Sequence, residues 1–175
     1  SFKGIKQGIE NTNYLLKSKK KKYILTIFEK RVLQKEIPFF MKLMDNLNNS
    51  KINYPKPLKT TNNKYLIKLK NKTACIVSFL EGKDKKILNI NDCYTIGKTI
   101  ARMHVVTNKM KLNRKNSMGI KNLKPLLESI KFKSKKFSNL KVFLNNNLKD
   151  INKNWPKQLP KGIIHGDLFI DNIFF

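Results

Sequence analysis

The apolar residues of this chain change their spacing once, near "SFLEGK" at residues 78–83. Before that point they come mostly in short runs bounded by turn formers. "FKGI" at Phe2–Ile5, "NYLLKS" and "YILTIFE" read as strands, the last alternating Tyr23, Leu25 and Ile27 against Ile24, Thr26 and Phe28. Successive side chains of a strand point to opposite faces, so this alternation predicts a sheet. "KSKKKK" predicts a charged hairpin turn, and its lysines discourage edge pairing with other chains. "KYLIKL" and "TACIVSFL" predict a second hairpin joined by Lys70, Asn71 and Lys72, and "EGKDKK" a loop.

Helical spacing occurs once inside this block and takes over after it. Pro38 suits a first helical turn, and Phe39, Phe40, Leu43, Met44 and Leu47 fall on one face. "NLNNSKINYPKP" ends that helix with turn formers. From Asn91, Cys93, Ile96, Ile100 and Met103 recur at helical intervals, with Gly97 and Ala101 near that face to admit a close neighbour. The polar "TNKMKLNRKNSMG" follows. A last helix is expected from about Asn139 to Asn152, with Leu140, Phe143, Leu144, Leu148 and Ile151 inward. "WPKQLPKG" connects it to "IIH" and "NIFF", read as two short strands. The order predicts an α+β chain in two blocks, residues 1–80 and 81–175, without internal repeat.

The net charge of +27 invites a nucleic-acid reading, because lysines that neutralise phosphates release counterions. Yet 35 of the 38 basic residues are Lys and only 3 are Arg, the residue suited to bidentate contacts. The chain also holds 22 Asn and 19 Ile against 2 Ala, the profile of A/T-rich codons. Mutational bias therefore explains the lysines without a nucleic-acid partner, though the positive field still draws anionic nucleotides. Cys75 and Cys93 sit in apolar segments without CxxC spacing, which predicts buried thiols in a reducing, cytoplasmic compartment. No apolar run has the length of a membrane helix, and "SFKGIKQGIENTN" lacks the apolar stretch of a signal peptide.

The stretch "GIIHGDLFIDNIFF", residues 162–175, carries the chemistry. Phosphoryl transfer needs positioning, a group to take a hydroxyl proton, and cations on the phosphates. Kinases supply two of these from one loop with the frame H-R-D-x-x-x-x-N. Here His165, Gly166, Asp167 and Asn172 match that spacing. Asp167 and Asn172 are also common turn residues, and His165 reads equally as a structural histidine. Asp171 is either a loop acid or a further carboxylate for a metal. "GIKQGIENTNYLL" sets Gly4 and Gly8 before Asn11, Thr12 and Asn13, either a plain hairpin or a turn that brings backbone N–H groups to phosphates. "IGKTIARMH", ending at His104, reads as a core helix beneath the loop.

"GIENTNYLL", "YILTIFEKR", "EIPFFMKLMDNL", "IVSFLEGK", "CYTIGKTIARMH" and "LPKGIIHGDLFIDNIFF" follow one another along nearly the whole chain. Together they resemble the homoserine kinases built on the aminoglycoside-phosphotransferase fold, relatives of the protein kinases. The resemblance implies a protein-kinase-like two-lobe fold and transfer of the ATP γ-phosphate to the hydroxyl of L-homoserine, a step toward threonine. It implies ATP and Mg²⁺ as cofactors, Asp167 as the catalytic Asp, Asn172 as a Mg²⁺ ligand and His165 as a loop-structuring residue. Gly8, Asn11, Thr12 and Asn13 would cover the phosphates, and the backbone near Ser78 and Phe79 would meet adenine. Aminoglycoside, choline and methylthioribose kinases share the loop motif and stand as alternatives, as do a basic nucleic-acid-binding protein and a non-catalytic remnant.

The chain departs from the wider fold at three places. The third strand usually presents a cation to the phosphates, and that position holds Thr26; Lys20 to Lys22 are assigned to the turn. The helix acid that pairs with that cation would fall at Glu36. Phe169 stands where protein kinases keep a Lys, which disfavours a protein substrate. The acid for a second Mg²⁺ contact is expected beyond Phe175, and Ser1 in place of Met reads as a cut start. The 175 residues are thus expected to be an interior piece, inactive alone.

Overall fold

A computed structural model describes residues 1–5, 11–29, 33–131 and 137–175. Five antiparallel strands form one sheet: β1 (Phe2–Ile5), β2 (Asn11–Ser18), β3 (Lys21–Phe28), β4 (Leu66–Leu69) and β5 (Lys72–Ser78). Their order is β1-β2-β3-β5-β4, so β3 runs through the middle. Both sequence hairpins are present, but their turns are tighter than expected. Ser18 pairs with Lys21, which places Lys21 and Lys22 in β3 rather than in the turn. Lys72 likewise begins β5 opposite Leu69. Lys70 and Asn71 close that hairpin at φ 44 and φ 66, the geometry of a two-residue turn whose twist matches the strands.

The register decides which side of the sheet is buried. Thr26 faces Cys75 across the β3–β5 pair, and Ile24 faces Val77. Ile24, Thr26 and Phe28 therefore share a face with Cys75 and Val77. That face packs on helix α1 (Ile37–Asn49), whose Ile37 and Met41 join Cys75 and Val77 in the core, with Phe40 and Met44 against it. Pro38 stands in the first turn as expected. Ile37 and Met41 bury more fully than Phe39 and Phe40, so the inward face is rotated toward the Ile37–Met41 line.

Helix α2 (Ile90–Asn108) packs on the far end of α1 through Leu47, Ile52 and Met103, with Leu43, Tyr54 and Ile100 around them. Its inner stripe is Asp92, Ile96, Ile100, Met103 and Thr107. Cys93 is exposed, contrary to the expectation of two buried thiols. The cause is local: Asp92 closes a capping box with Asn89 and is buried, which turns its neighbour Cys93 outward. Gly97 and Ala101 are exposed, and a Cβ at Gly97 would meet nothing within 4 Å, so the expected close neighbour is not among the described residues. His104 is exposed as well.

Two further helices, α3 (Ile120–Ser129) and α4 (Ser138–Asn154), pack on each other. The first is absent from the sequence expectation, since Pro125 lies inside it; Leu127 is its buried residue. Along α4, Leu144 and Leu148 are half-buried, whereas Leu140, Phe143 and Ile151 are exposed rather than inward. The chain forms two compact units, Ser1–Asn113 with Gly162–Phe175, and Arg114–Lys161. The change from strand to helix at residue 80 falls inside the first unit. Among the described residues, no helix is long and apolar enough to cross a membrane.

"IIH" and "NIFF" are not strands. Ile170–Asn172 forms one 3-10 turn, and the reciprocal bonds of Lys83 and Phe175, 3.0 Å each, are the segment's one step of strand-like pairing. Extended residues become a strand only when a partner continues the ladder, and among the described residues the pairing is one step long.

Candidate active site

Gly162–Phe175 carries His165, Asp167 and Asn172. Gly166 turns the chain at φ 80, in the left-handed region where a Cβ costs about 1–2 kcal/mol. The 3-10 turn follows, closed by the Asn172 N–H on the Phe169 carbonyl at 3.0 Å. It folds the Asn172 side chain back onto Asp167. Asn172 Nδ2 donates to the Asp167 carbonyl at 2.9 Å and to Asp167 Oδ2 at 3.1 Å. The five-residue spacing thus brings both side chains together. Among the described residues, Asp167 Oδ1 and Asn172 Oδ1 keep no partner, and both residues are exposed.

His165 sits beside this pair. Its Nδ1 accepts from the Asp167 N–H at 3.4 Å, a long bond that acts on the loop backbone rather than on the carboxylate. Asp171 lies on the 3-10 turn, exposed, with no side-chain bond among the described residues. Among those residues, no group of three or more His, Cys, Asp or Glu is arranged for a metal. What the loop offers is hard oxygen, a carboxylate and an amide carbonyl. That is the donor chemistry Mg²⁺ takes, alongside phosphate oxygens and water.

The phosphate-turn residues divide. Gly8 lies outside the described residues. Gly4 is in β1, and Asn11, Thr12 and Asn13 are in β2, not in a turn. Their side chains are engaged: Asn11 Oδ1 accepts from the Glu29 N–H at 3.4 Å, Thr12 donates to Glu29 Oε1 at 2.9 Å, and Asn13 Oδ1 accepts from Thr26 at 2.9 Å. Thr26 is therefore a partner of Asn13, on the same sheet face. Glu29, which the sequence reading passed over, also holds Lys72 at 2.6 Å and so ties β2, β3 and β5 at one end of the sheet. Glu36 stands at the junction leading into α1.

At the other end, Ser78 closes β5. Its N–H donates to the Lys56 carbonyl and that of Phe79 to the Lys22 carbonyl. Two of the donors expected near adenine are thus occupied. Among the described residues, no hydrogen bond reaches the Phe79 carbonyl or the N–H groups of Leu80 and Glu81. Lys22 braces this stretch, with Nζ 2.7 Å from Glu81 Oε1 and 5.3 Å from the Phe79 ring centroid.

Cys75 and Asp92 are among the titrating groups displaced from their ordinary values. Burial pushes the Cys75 thiol up to about 11. The Lys85 ammonium, followed by the Asn89 N–H, holds the Asp92 carboxyl below its ordinary value, against an opposing desolvation.

The profile of the phosphotransferase enzyme family matches residues 1–175. The chain belongs to that family. This phosphotransferase-family chain is 39% identical over 176 residues to a protein named homoserine kinase from Paramagnetospirillum magneticum (strain ATCC 700264 / AMB-1), covering all of this chain and 54% of that protein. It is 38% identical to a homoserine kinase of Rhizobium meliloti (strain 1021), with the same coverage. The chain thus spans about half the length of the curated relatives it matches. Among solved structures, a microcompartment-associated aminopropanol kinase superposes with TM-score 0.74 at 14% identity, over 99% of this chain and 59% of that one. A spectinomycin phosphotransferase bound to ADP and spectinomycin superposes with TM-score 0.59 at 16% identity, with the same coverage. The fold of this phosphotransferase-family chain is kinase-like, as the resemblance implies.

Proposed function

We propose that the whole protein transfers the γ-phosphate of ATP to the side-chain hydroxyl of L-homoserine. The observation that carries this reading is the Asp167–Asn172 pair, in a chain that matches proteins named homoserine kinase along its entire length. Asn172 Nδ2 occupies Asp167 Oδ2, which leaves Oδ1 to accept the acceptor's proton. The homoserine oxygen forms a bond to the γ-phosphorus. The bond from that phosphorus to the bridging oxygen breaks, its electron pair leaves on ADP, and the hydroxyl proton passes to Asp167 Oδ1. Asn172 Oδ1 would hold Mg²⁺, which neutralises phosphate charge when bound. His165 keeps the loop shape through the Asp167 backbone.

Residues 1–80 serve as the nucleotide lobe, and 81–175 begin the catalytic lobe. The adenine edge would meet the Phe79 carbonyl and the Leu80 and Glu81 N–H groups, with Ser78 supporting that strand end. Gly8 and the backbone of Asn11–Asn13 would lie along the phosphates. The enzyme works in the cytoplasm as an ATP- and small-molecule-binding protein, not on nucleic acid.

Turnover by the full-length protein tests this, with L-homoserine, choline and an aminoglycoside as rival acceptors and the product identified by phosphorus NMR. The expected kcat/KM for homoserine exceeds the others by at least 100-fold. ADP release that is indifferent to homoserine overturns the assignment.

A further inference from the structure

Among the described residues, the segment that holds Asp167 and Asn172 is hydrogen-bonded to residues outside it at one point. Its internal hydrogen bonds join Asp167 to His165, Asn172 to Asp167 and Phe169, and Ile173 to Ile170. Among the described residues, its only hydrogen bonds to anything outside 162–175 are the two between Lys83 and Phe175. Three further features converge on that point. A Cβ at Gly82 would stand 2.9 Å from Phe174 Cβ, nearer than real side chains approach, so the two backbones meet only because residue 82 is glycine. Lys85 Nζ lies 4.4 Å from the Phe175 ring centroid, over the aromatic face. The same Nζ is 2.6 Å from Asp92 Oδ1.

Asp92 is what keeps Lys85 there. A cation beside the N-terminus of α2 opposes the helix dipole, so the ammonium needs a local anion. Asp92 supplies it from the first helical turn, with its other oxygen accepting from the Asn89 N–H at 3.1 Å. Its side chain is only 10% exposed, while that of Lys85 is 39% exposed. A buried carboxylate on a rigid helix thus aims a lysine at the aromatic ring that ends the loop.

We propose that Lys85 is a positioning residue: held by Asp92, it clamps Phe175 against the Gly82–Lys83 backbone and thereby fixes the loop bearing Asp167 and Asn172. It touches neither of those residues and acts through the two residues between Asn172 and the clamped ring, Ile173 and Phe174. The clamp rests on the phosphotransferase reading for its consequence, but not for its geometry. The stretch proposed to meet adenine, Phe79 to Glu81, lies just before the clamp residues Gly82, Lys83 and Lys85 and is not part of the clamp.

The test uses the full-length protein with Lys85→Met, which keeps the stem and removes the charge, Lys85→Arg, which restores a cation, and Lys86→Met, which removes a neighbouring charge outside the clamp. Gly82→Ala forces the two backbones apart and serves as the second variant. Kinetics with ATP and homoserine are read beside amide hydrogen exchange over residues 165–175. Lys85→Met and Gly82→Ala are expected to lower kcat at least 10-fold with the KM for ATP within threefold, and to speed exchange in that segment at least 10-fold while β3 and β5 keep their protection. Lys85→Arg is expected to recover at least half of kcat, and Lys86→Met to match wild type. Unchanged exchange at 165–175 in Lys85→Met, or a kcat within twofold of wild type, overturns the clamp. A wild-type protein that phosphorylates no acceptor overturns the phosphotransferase reading instead, and exchange alone then decides whether the clamp holds.

Discussion

At the scale of single residues, the H-G-D-x-x-x-x-N spacing was legible in the sequence and the commitments of its side chains were not. Nothing in the spacing says that Asn172 Nδ2 occupies Asp167 Oδ2, or that the Ser78 and Phe79 amides are taken by Lys56 and Lys22. The first depends on the 3-10 turn between the two residues, and the second on segments 22 and 57 positions away, which a local pattern does not contain. Asp167→Asn in the full-length protein is expected to lower kcat by a factor on the order of 10²–10⁴, the usual worth of a positioned base, with the melting temperature nearly unchanged. Near-native turnover would remove Asp167 from the proton-accepting role. The two thiols give a second residue-scale expectation. Cys93 is exposed, whereas Cys75 is 2% exposed and its thiol is pushed up to about 11. A thiol reagent at pH 8 should therefore modify Cys93 in the folded protein and reach Cys75 only on unfolding, as peptide mapping of the labelled sites would read directly.

At the scale of elements, the strands were the most legible part, because a period of two survives in runs as short as "YILTIFE". The helices were less so. Pro125 masked α3, since proline is disfavoured in helix interiors. The inner stripe of α2 begins at Asp92 rather than Cys93 because a capping box outweighs an apolar preference. The hairpin between β4 and β5 carries a local cost, with Lys70 and Asn71 both at positive φ. Lys70→Asn with Asn71→Gly installs the residues that turn prefers and should add about 0.5–1 kcal/mol, seen as a rise of a few degrees in melting temperature. The capping box gives a pH expectation. The folded Asp92 carboxyl titrates below its ordinary value of 3.8. Its contribution is therefore complete above the unfolded value, about 4, and is lost as pH falls through the folded one. The stability gap between wild type and Asp92→Asn should stay level from pH 7 to 5 and close below about pH 4.

At the scale of the whole molecule, composition was the least specific guide. A net charge of +27 says little about the fold, but it bears on encounter with nucleotides. Added salt should raise the KM for ATP while kcat stays level, because screening acts on the approach of the anion rather than on the transfer step. A kcat that falls with salt in parallel would place the charges in the chemistry. The division into blocks was legible as a change of period at residue 80, yet the compact units close elsewhere, since Gly162–Phe175 returns to the first of them. That return has a mechanical consequence. Among the described residues, the hydrogen bonds that tie this segment to the rest of its unit are both at Phe175, so thermal excursions should grow along the chain away from that residue. Asn172 lies three positions from it and Asp167 eight. The proposed metal ligand is thus nearer the bonded residue than the proton acceptor is. On warming, proton transfer should lose its alignment before nucleotide binding does.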